Sequence, residues 1–443
     1  MFGLFAASCP LSTNEKVWVE RRMRWFADQF GIDRMRNARV ILPTDEFFPD
    51  RYEADEASAR KCLDRMCAYM SIDPATITLE VLEDDQMIGA VGTYEMREQS
   101  NICIAMSQLG YPDQLMSTLA HELAHELLLK IKRLSPDTSD HEQMTDLLPV
   151  FLGSGIFIAN ATVVVTSGEM GTLHFWHETK HGYLNSITLG YAFALFAFVR
   201  GERRPAWAKY LRTDALATFR QGLRYLNNTG DSLFHPDTID KKAETPTPKS
   251  VAMSLCHNRP TIRLSALRDI IEYRMESIEL LPLVEQCFKD PDSDVQYVAV
   301  AALAVFGASA ERTIPVLIQA AMQGSAEVRA EAAAALGDIG TCPSEVVSAL
   351  GVVLGDLEVN VVAAAATALA KYGEAATPAL PRLLAAIELA ASVTHDDLLS
   401  YLIAALQIIH PNARRAIRDH LQGRDPEGLR LALSLIREQR GEV

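Results

Sequence analysis

His121-Glu122-Leu123-Ala124-His125, with Glu142-Gln143-Met144-Thr145-Asp146 shortly after it, is the stretch from which the rest of the chain is read. Residues four apart on an α-helix are offset by about 40° and share a face, so His121 and His125 can point at one metal ion. Glu122 lies beside them and can reach a water on that ion as general base. Residues 114–135 hold no Gly or Pro, and the flanks of the motif are mostly good helix formers. Pro112-Asp113 reads as the helix start, with Asp113 as N-cap. The segment is apolar around most of its circumference and should be buried. Two histidines and two glutamates in its middle are then costly unless something satisfies them.

Catalytic zinc takes three protein ligands and keeps one position open. Glu142 is the candidate third ligand. It follows a turn-rich connection, residues 135–140, that lets a second helix start and fold back on the first, capped by Ser139 or Asp140. Asp146, one turn after Glu142, can accept a hydrogen bond from the outer nitrogen of a ligating imidazole, His121 being the expected one, and so fix its tautomer. His141 adjoins Glu142 and can compete as a ligand.

His-Glu-x-x-His followed by Glu-x-x-x-Asp on the next helix resembles the gluzincin class of zinc metallopeptidases, the thermolysin-like group. The resemblance implies His121, His125 and Glu142 as ligands of one Zn2+, Glu122 as base and later proton donor, and Asp146 as support for an imidazole. The motifs span residues 121–146, and a zincin-like domain would occupy much of the first 230. Such enzymes use a Tyr or His to stabilise the tetrahedral oxyanion. His174, His177, His181, Tyr183 and Tyr191 are all open to that role, and Tyr183 is taken as the catalytic one. The strand expected at 101–106, just before the metal helix, would by the same resemblance form a sheet edge able to hold an extended peptide.

The chain has 443 residues, enough for two or more domains, and a formal net charge of −15. That charge argues against nucleic-acid or anionic-membrane binding through bulk electrostatics. The densest local basic patch, Arg200, Arg203, Arg204 and Lys209, reads as a solvated helix end. Seven scattered cysteines with no Cys-x-x-Cys read as free thiols of a reducing compartment. The apolar start lacks a basic n-region and reads as no signal peptide, so the expected location is cytoplasmic. Residues 147–167 and 182–199 are uncharged and long enough to keep a membrane-embedded metalloprotease as an alternative. Pro149, Gly153, Ser154, Gly155, Asn160 and Thr162 in the first run, and Asn185, Ser186 and Thr188 in the second, favour core segments behind the metal site.

Before the motif, Ser12-Thr13-Asn14-Glu15 has the form of a capping box, opening a helix that ends near Gly31. A helix at 54–70 and strands at 76–82, 87–96 and 101–106 follow. After it, helices are expected at 188–199 and 206–226. Residues 231–260 collect Pro236, Pro246, Pro248 and Pro260 with Lys, Thr and Asp and read as a linker.

Beyond 260 the sequence repeats with a period of 33: Gly307, Gly340 and Gly373; Leu303, Leu336 and Leu369; Val295, Val328 and Val361; Ala299, Ala332 and Ala365; Leu317, Leu350 and Leu383. Ile262, Ala266, Ile270 and Val284 extend the register backwards. Each unit reads as helix, Gly turn, helix, polar turn, and only stacking covers its apolar faces. The Thr-Pro-Leu-His signature of ankyrin repeats is absent, and the units resemble short HEAT repeats. Such solenoids present a surface for a protein partner, while a purely bracing role is the alternative. The register drifts after Ser392, as in a terminal capping repeat.

His174, His177 and His181 would share a helix face, but a second metal site is less favoured than cleft lining or a histidine-rich loop. Gly153-Ser154-Gly155 lacks a nucleophile-elbow pattern. The expected fold class is mostly α. It comprises a zincin-like metallopeptidase domain of helices plus a small mixed sheet (1–230), a linker (231–260) and a C-terminal α-solenoid (261–443). The expected function is zinc-dependent hydrolysis of a peptide or protein substrate, with the solenoid for protein interaction. The main alternative is a non-catalytic HEAT-repeat scaffold with an inactive or structural metal site.

Overall fold

The structure, a computed structural model, describes residues 8–439 apart from 88–90, 162, 171–172, 181, 241–243, 394 and 423. Of residues 163–180, 308 and 437–439 it describes the backbone alone. The chain divides into two compact units, 1–244 and 245–443.

Unit 1 starts with α1 (Thr13–Phe30), opened by a capping box in which Ser12 Oγ accepts from Glu15 N and the Glu15 carboxylate accepts from Ser12 N. Gly31, at φ +83, ends it. The short α2 (Ile32–Arg36) and α3 (Glu56–Met70) follow. Val19, Met23 and Phe26 carry the buried stripe of α1, and Phe26 packs on Phe151 at 5.8 Å between ring centroids.

The sheet holds β1 (Ile77–Leu82), β2 (Gly92–Glu95) and β3 (Ser100–Ala105) in the order β1-β3-β2. β1 runs parallel to β3 and β2 antiparallel to it, so the sheet is mixed. This corrects the expectation for 101–106. That strand is the centre of the sheet, buried along its whole length, and β2 is the edge strand beside the metal helix. Alternating burial marks β2, whereas β3 reads as a continuous run because both its faces are covered.

The helix that carries the His-Glu-x-x-His motif is α4 (Pro112–His125). Tyr111 holds its N-cap position with no side-chain hydrogen bond, and Asp113 sits in the first turn, where its charge suits the helix dipole. Residues Glu126–Lys130 continue it as a π-turn. Next come α5 (His141–Leu152), α6 (Ile156–Ala161), the antiparallel pair β4 (Val163–Met170) and β5 (Leu173–Lys180), α7 (Ser186–Val199) and α8 (Thr213–Thr229). Residues 206–210, expected as helix, form a 3-10 turn ahead of α8. His174 and His177 lie on a strand, so the helical spacing weighed for them does not hold; their side chains and His181 lie outside the described residues.

The described side chains of residues 147–161 and of 186–199 lie mostly in the core. Gly153, at φ +92, splits the first into α5 and α6. The second becomes α7, fourteen residues and about 21 Å long, against the roughly 30 Å of a bilayer core. Among the described residues no helix is long and apolar enough to cross a membrane.

Of the stretch 231–260, the first part belongs to unit 1. Phe234 and Ile239 are buried in its core, and Leu233 N donates to Glu20 Oε2 at 2.7 Å. Glu20 is itself buried between Lys16 Nζ (3.2 Å) and the Tyr191 hydroxyl (2.7 Å). The last part forms α9 (Pro248–Leu255), capped by Thr247, in unit 2.

Unit 2 continues with α10 (Pro260–Glu272), α11 (Leu281–Cys287), α12 (Ser293–Ala304), α13 (Ile314–Gln323), α14 (Ala326–Ile339), α15 (Pro343–Val353), α16 (Val359–Lys371), α17 (Leu380–Ser392), α18 (Asp396–Ile409), α19 (Ala413–Leu421) and α20 (Pro426–Gln439). Helices α10, α12, α14, α16 and α18 pack successively on one another. The columns of the repeat are the columns of the core: Ala299, Ala332 and Ala365, Leu303, Leu336 and Leu369, and Leu317, Leu350 and Leu383 are all fully buried. Gly307, Gly340 and Gly373 all have positive φ, +48, +69 and +53, which an L side chain resists. One period earlier the same left-handed turn falls on Arg274, at φ +47. Successive repeats are also stapled by paired guanidinium–carboxylate contacts, Arg263 to Asp290 and Arg329 to Asp356.

Candidate metal centre

α4 and α5 pack antiparallel-hairpin fashion through the loop 131–140, and their facing sides carry the polar groups. The start of α5 is anchored from α1 rather than by a capping side chain. Asp140 Oδ2 accepts from Trp18 Nε1 and Arg22 Nε, each at 2.7 Å, and makes no cap hydrogen bond. That anchor sets where Glu142 enters.

His121, His125 and Glu142 each offer one donor atom, and the three atoms lie within 4.8 Å of one another. Among the described residues they are the one group of three or more His, Cys, Asp or Glu side chains so gathered. Glu142 Oε2 stands 3.2 Å from His121 Nε2 and 3.4 Å from His125 Nε2. Yet it is buried without a hydrogen bond of acceptable geometry. A buried carboxylate oxygen aimed between two imidazole nitrogens, and bonded to neither, fits a cation shared by all three.

The outer nitrogens explain why both Nε2 atoms face inward. His121 Nδ1 is 2.8 Å from Asp146 Oδ1. The buried Asp146 also accepts from Tyr183 N at 2.6 Å and Leu184 N at 3.0 Å through Oδ2. The chain reaches it through Gly182, at φ +84, whose missing Cβ would lie 3.1 Å from that oxygen. His125 Nδ1 is 3.4 Å from Thr145 Oγ1, which donates its own proton to His141 O. In both rings the outer nitrogen faces an oxygen that can accept its proton, which leaves Nε2 as the atom that would face a cation. The rings themselves stand edge to face, 4.8 Å apart.

Glu122 is buried beside them. β2 passes so close that a Cβ on Gly92 would lie 2.3 Å from Thr118 Cγ2 and 2.9 Å from Glu122 Oε1. Only glycine lets the edge strand approach that carboxylate. His141 is not in the convergent group: its Nδ1 is 3.0 Å from Thr138 O and its Nε2 3.1 Å from Glu142 Oε1. Tyr183 lays its ring over His121 at 5.8 Å and 18°, half exposed. Tyr191 is removed from the site, fully buried with its hydroxyl on Glu20.

The structure adds residues the sequence reading missed. Tyr94, on β2, stacks on His125 at 5.9 Å and donates to Glu126 Oε2 at 2.6 Å. Ser100 Oγ donates to the same oxygen at 2.7 Å, and Lys130 holds the other at 2.9 Å. Glu126 was the signal available: a second buried carboxylate one turn after Glu122 needs partners.

The electrostatics follow. Burial alone would lower the His121 pKa, but the Asp146 and Glu142 carboxylates beside it outweigh that and push it up to about 10. Burial would raise Glu142, but its contacts with His121 and His125 hold it well below the usual carboxylate range. Glu122 is raised, chiefly by burial, with the two imidazoles opposing. Tyr183 is raised by burial and then by the Glu142, Asp146 and Glu122 charges, so its phenol keeps its proton.

Residues 278–370 and 314–388 match the family model for HEAT repeats. No curated protein matches the chain. Among solved structures, the chain is similar to an engineered protein, at 21% identity over 44% of this chain and 96% of that one, with a TM-score of 0.32. It is also similar to Kap121p, at 15% identity over 75% of this chain and 37% of that one (TM-score 0.33), and to a Kap121p mutant, at 15% over 74% and 36% (TM-score 0.34). The chain thus spans little more than a third of the Kap121p structures it matches.

Proposed function

We propose that unit 1 is a zinc-dependent peptidase domain and that the repeats of unit 2 are a protein-binding solenoid. The observation that carries the first half is the buried, unbonded Glu142 Oε2 facing the Nε2 atoms of His121 and His125. Zinc held by those three side chains would polarise a peptide carbonyl and lower the pKa of a water towards about 7. Glu122 takes the proton of the attacking water and returns it to the leaving nitrogen, and its raised pKa narrows the gap between those two partners. Tyr183, still protonated, donates a hydrogen bond to the developing oxyanion. Asp146 and Thr145 keep the imidazoles in register, and Tyr94, fixed by Glu126, walls His125.

The test is metal analysis together with cleavage of a mixed peptide library. Wild-type protein should carry one zinc and cleave. Glu122→Gln should keep the zinc and lose hydrolysis by about 100-fold to 10,000-fold. Glu142→Ala should lose the zinc.

A second reading is a non-catalytic scaffold in which the metal site only braces the fold. It is favoured by the HEAT-repeat match over residues 278–388, which is what the comparisons support. Exposed apolar side chains on successive second helices, Val316 and Met322 on α13, Val352 on α15 and Leu389 on α17, suit a protein partner. A zinc-loaded wild type that cleaves nothing in the library would leave this reading alone.

A further inference from the structure

Five cations line a single cavity of about 550 Å³ in unit 1. Arg203, Arg204 and Lys209 come from the segment between α7 and α8, and Arg220 and Arg224 stand one turn apart on α8. The sequence placed the first three on a solvated helix end; the fold brings two more arginines opposite them. Phe219, Leu223 and Ala208 form a buried floor, Leu216 adds an apolar wall, and no Asp or Glu lines the space.

Among the described residues none of these five makes an ion pair, whereas Arg22, Arg36, Arg39, Arg60, Arg65, Arg200 and Arg212 of the same unit all do. The neighbouring acid is turned away. Glu202 accepts from Arg200 Nε at 2.7 Å and from Trp207 Nε1 at 2.8 Å. Asp214 is taken up by Arg212 at 3.8 Å. On a chain of net charge −15, five exposed cations gather around one concavity with no carboxylate in its lining.

We propose that this cavity binds a compact, multiply charged phosphate group of an organic phosphate. Guanidinium forks match phosphate oxygens two at a time, and Leu216 with Phe219 offers an apolar wall for the organic part. The volume falls within the range of about 300–1,000 Å³ typical of small-ligand pockets. An acidic peptide is a poorer fit, because its charges are spread along about 3.3–3.6 Å of chain per residue rather than concentrated in one place. The proposal is independent of the metal centre.

The experiment is calorimetric titration of the full chain with pyrophosphate at low salt, and flotation with phosphatidylcholine vesicles containing phosphatidylinositol 4-phosphate. Arg220→Ala/Arg224→Ala and Arg203→Ala/Arg204→Ala should each weaken pyrophosphate binding by at least about tenfold, with unchanged thermal melting. Removing the same charge from unit 2, Arg414→Ala/Arg415→Ala, should change it less than about twofold. Pyrophosphate binding without flotation assigns a soluble phosphate. Flotation that pyrophosphate competes away assigns a lipid headgroup. No binding of either probe at millimolar concentration, or equal losses in the unit 2 control, overturns the proposal.

Discussion

Of the eighteen buried polar or charged residues among those described, fifteen lie in unit 1 and three in unit 2. Unit 2 spends its interior on a few aliphatic columns, and any repeat can stand in for its neighbour in the argument. Unit 1 spends its interior on groups with several particular partners: Glu20 with Lys16, Tyr191 and Leu233; Glu126 with Tyr94, Ser100 and Lys130; Asp146 with His121, Tyr183 and Leu184. A buried carboxylate is stable only if each oxygen is satisfied. The contrast separates a unit whose stability is spread over equivalent contacts from one whose stability is bound up with a site.

Four measurements test that contrast. The largest effect should come from Leu336→Ala, which opens a cavity in the central column of unit 2 and should cost about 2–5 kcal/mol of unfolding free energy while leaving zinc content unchanged. Smaller, and confined to the other unit, is Asp146→Asn. The shape is kept but the charge behind His121 is lost, and zinc affinity measured by competition with a chelator should fall about 10- to 100-fold.

The third measurement varies pH. With protons as the only cations on offer, His121 titrates near 10, so at pH 7–8 zinc must displace a proton from it. Calorimetry in buffers of different ionisation enthalpy should show about one proton released per zinc, and affinity should climb with pH until about 10. Without zinc the sign reverses: the raised His121 pKa stabilises the fold fully below its ordinary value of 6.5, and that contribution fades as pH rises through about 10. The smallest effect belongs to Arg274→Gly, which relieves the one left-handed repeat turn that lacks glycine. It should stabilise unit 2 by about 0.5–1 kcal/mol in a denaturant titration.

How much was legible in advance differs between the units for the same reason. The repeat period prints the core of unit 2 on the sequence, and the Gly column even prints its backbone conformation. In unit 1, the meeting of His121, His125 and Glu142 was legible because it is nearly local: one helical turn and one hairpin of helices. Asp146 was legible for the same reason. Tyr94 and Ser100 were not, because they arrive on strands whose pairing and order no spacing rule fixes. The edge position expected for 101–106 came from the resemblance alone, and the pairing of β3 with both β1 and β2 makes that strand the centre. The anchoring of α5 was also hidden: an N-cap rule pointed Asp140 at its own helix, whereas Trp18 and Arg22 of α1 claim it across more than a hundred residues. The histidines at 174 and 177 followed a helical count on what is a strand.

That long-range claim on Asp140 ties α1 to the start of α5. Glu142 stands two residues beyond the anchored Asp140, so a helix more than a hundred residues away helps to hold it in place. A cation held by His121, His125 and Glu142 would therefore depend on how firmly α1 is docked. Loosening Trp18 or Arg22 would weaken metal binding without touching a single candidate ligand.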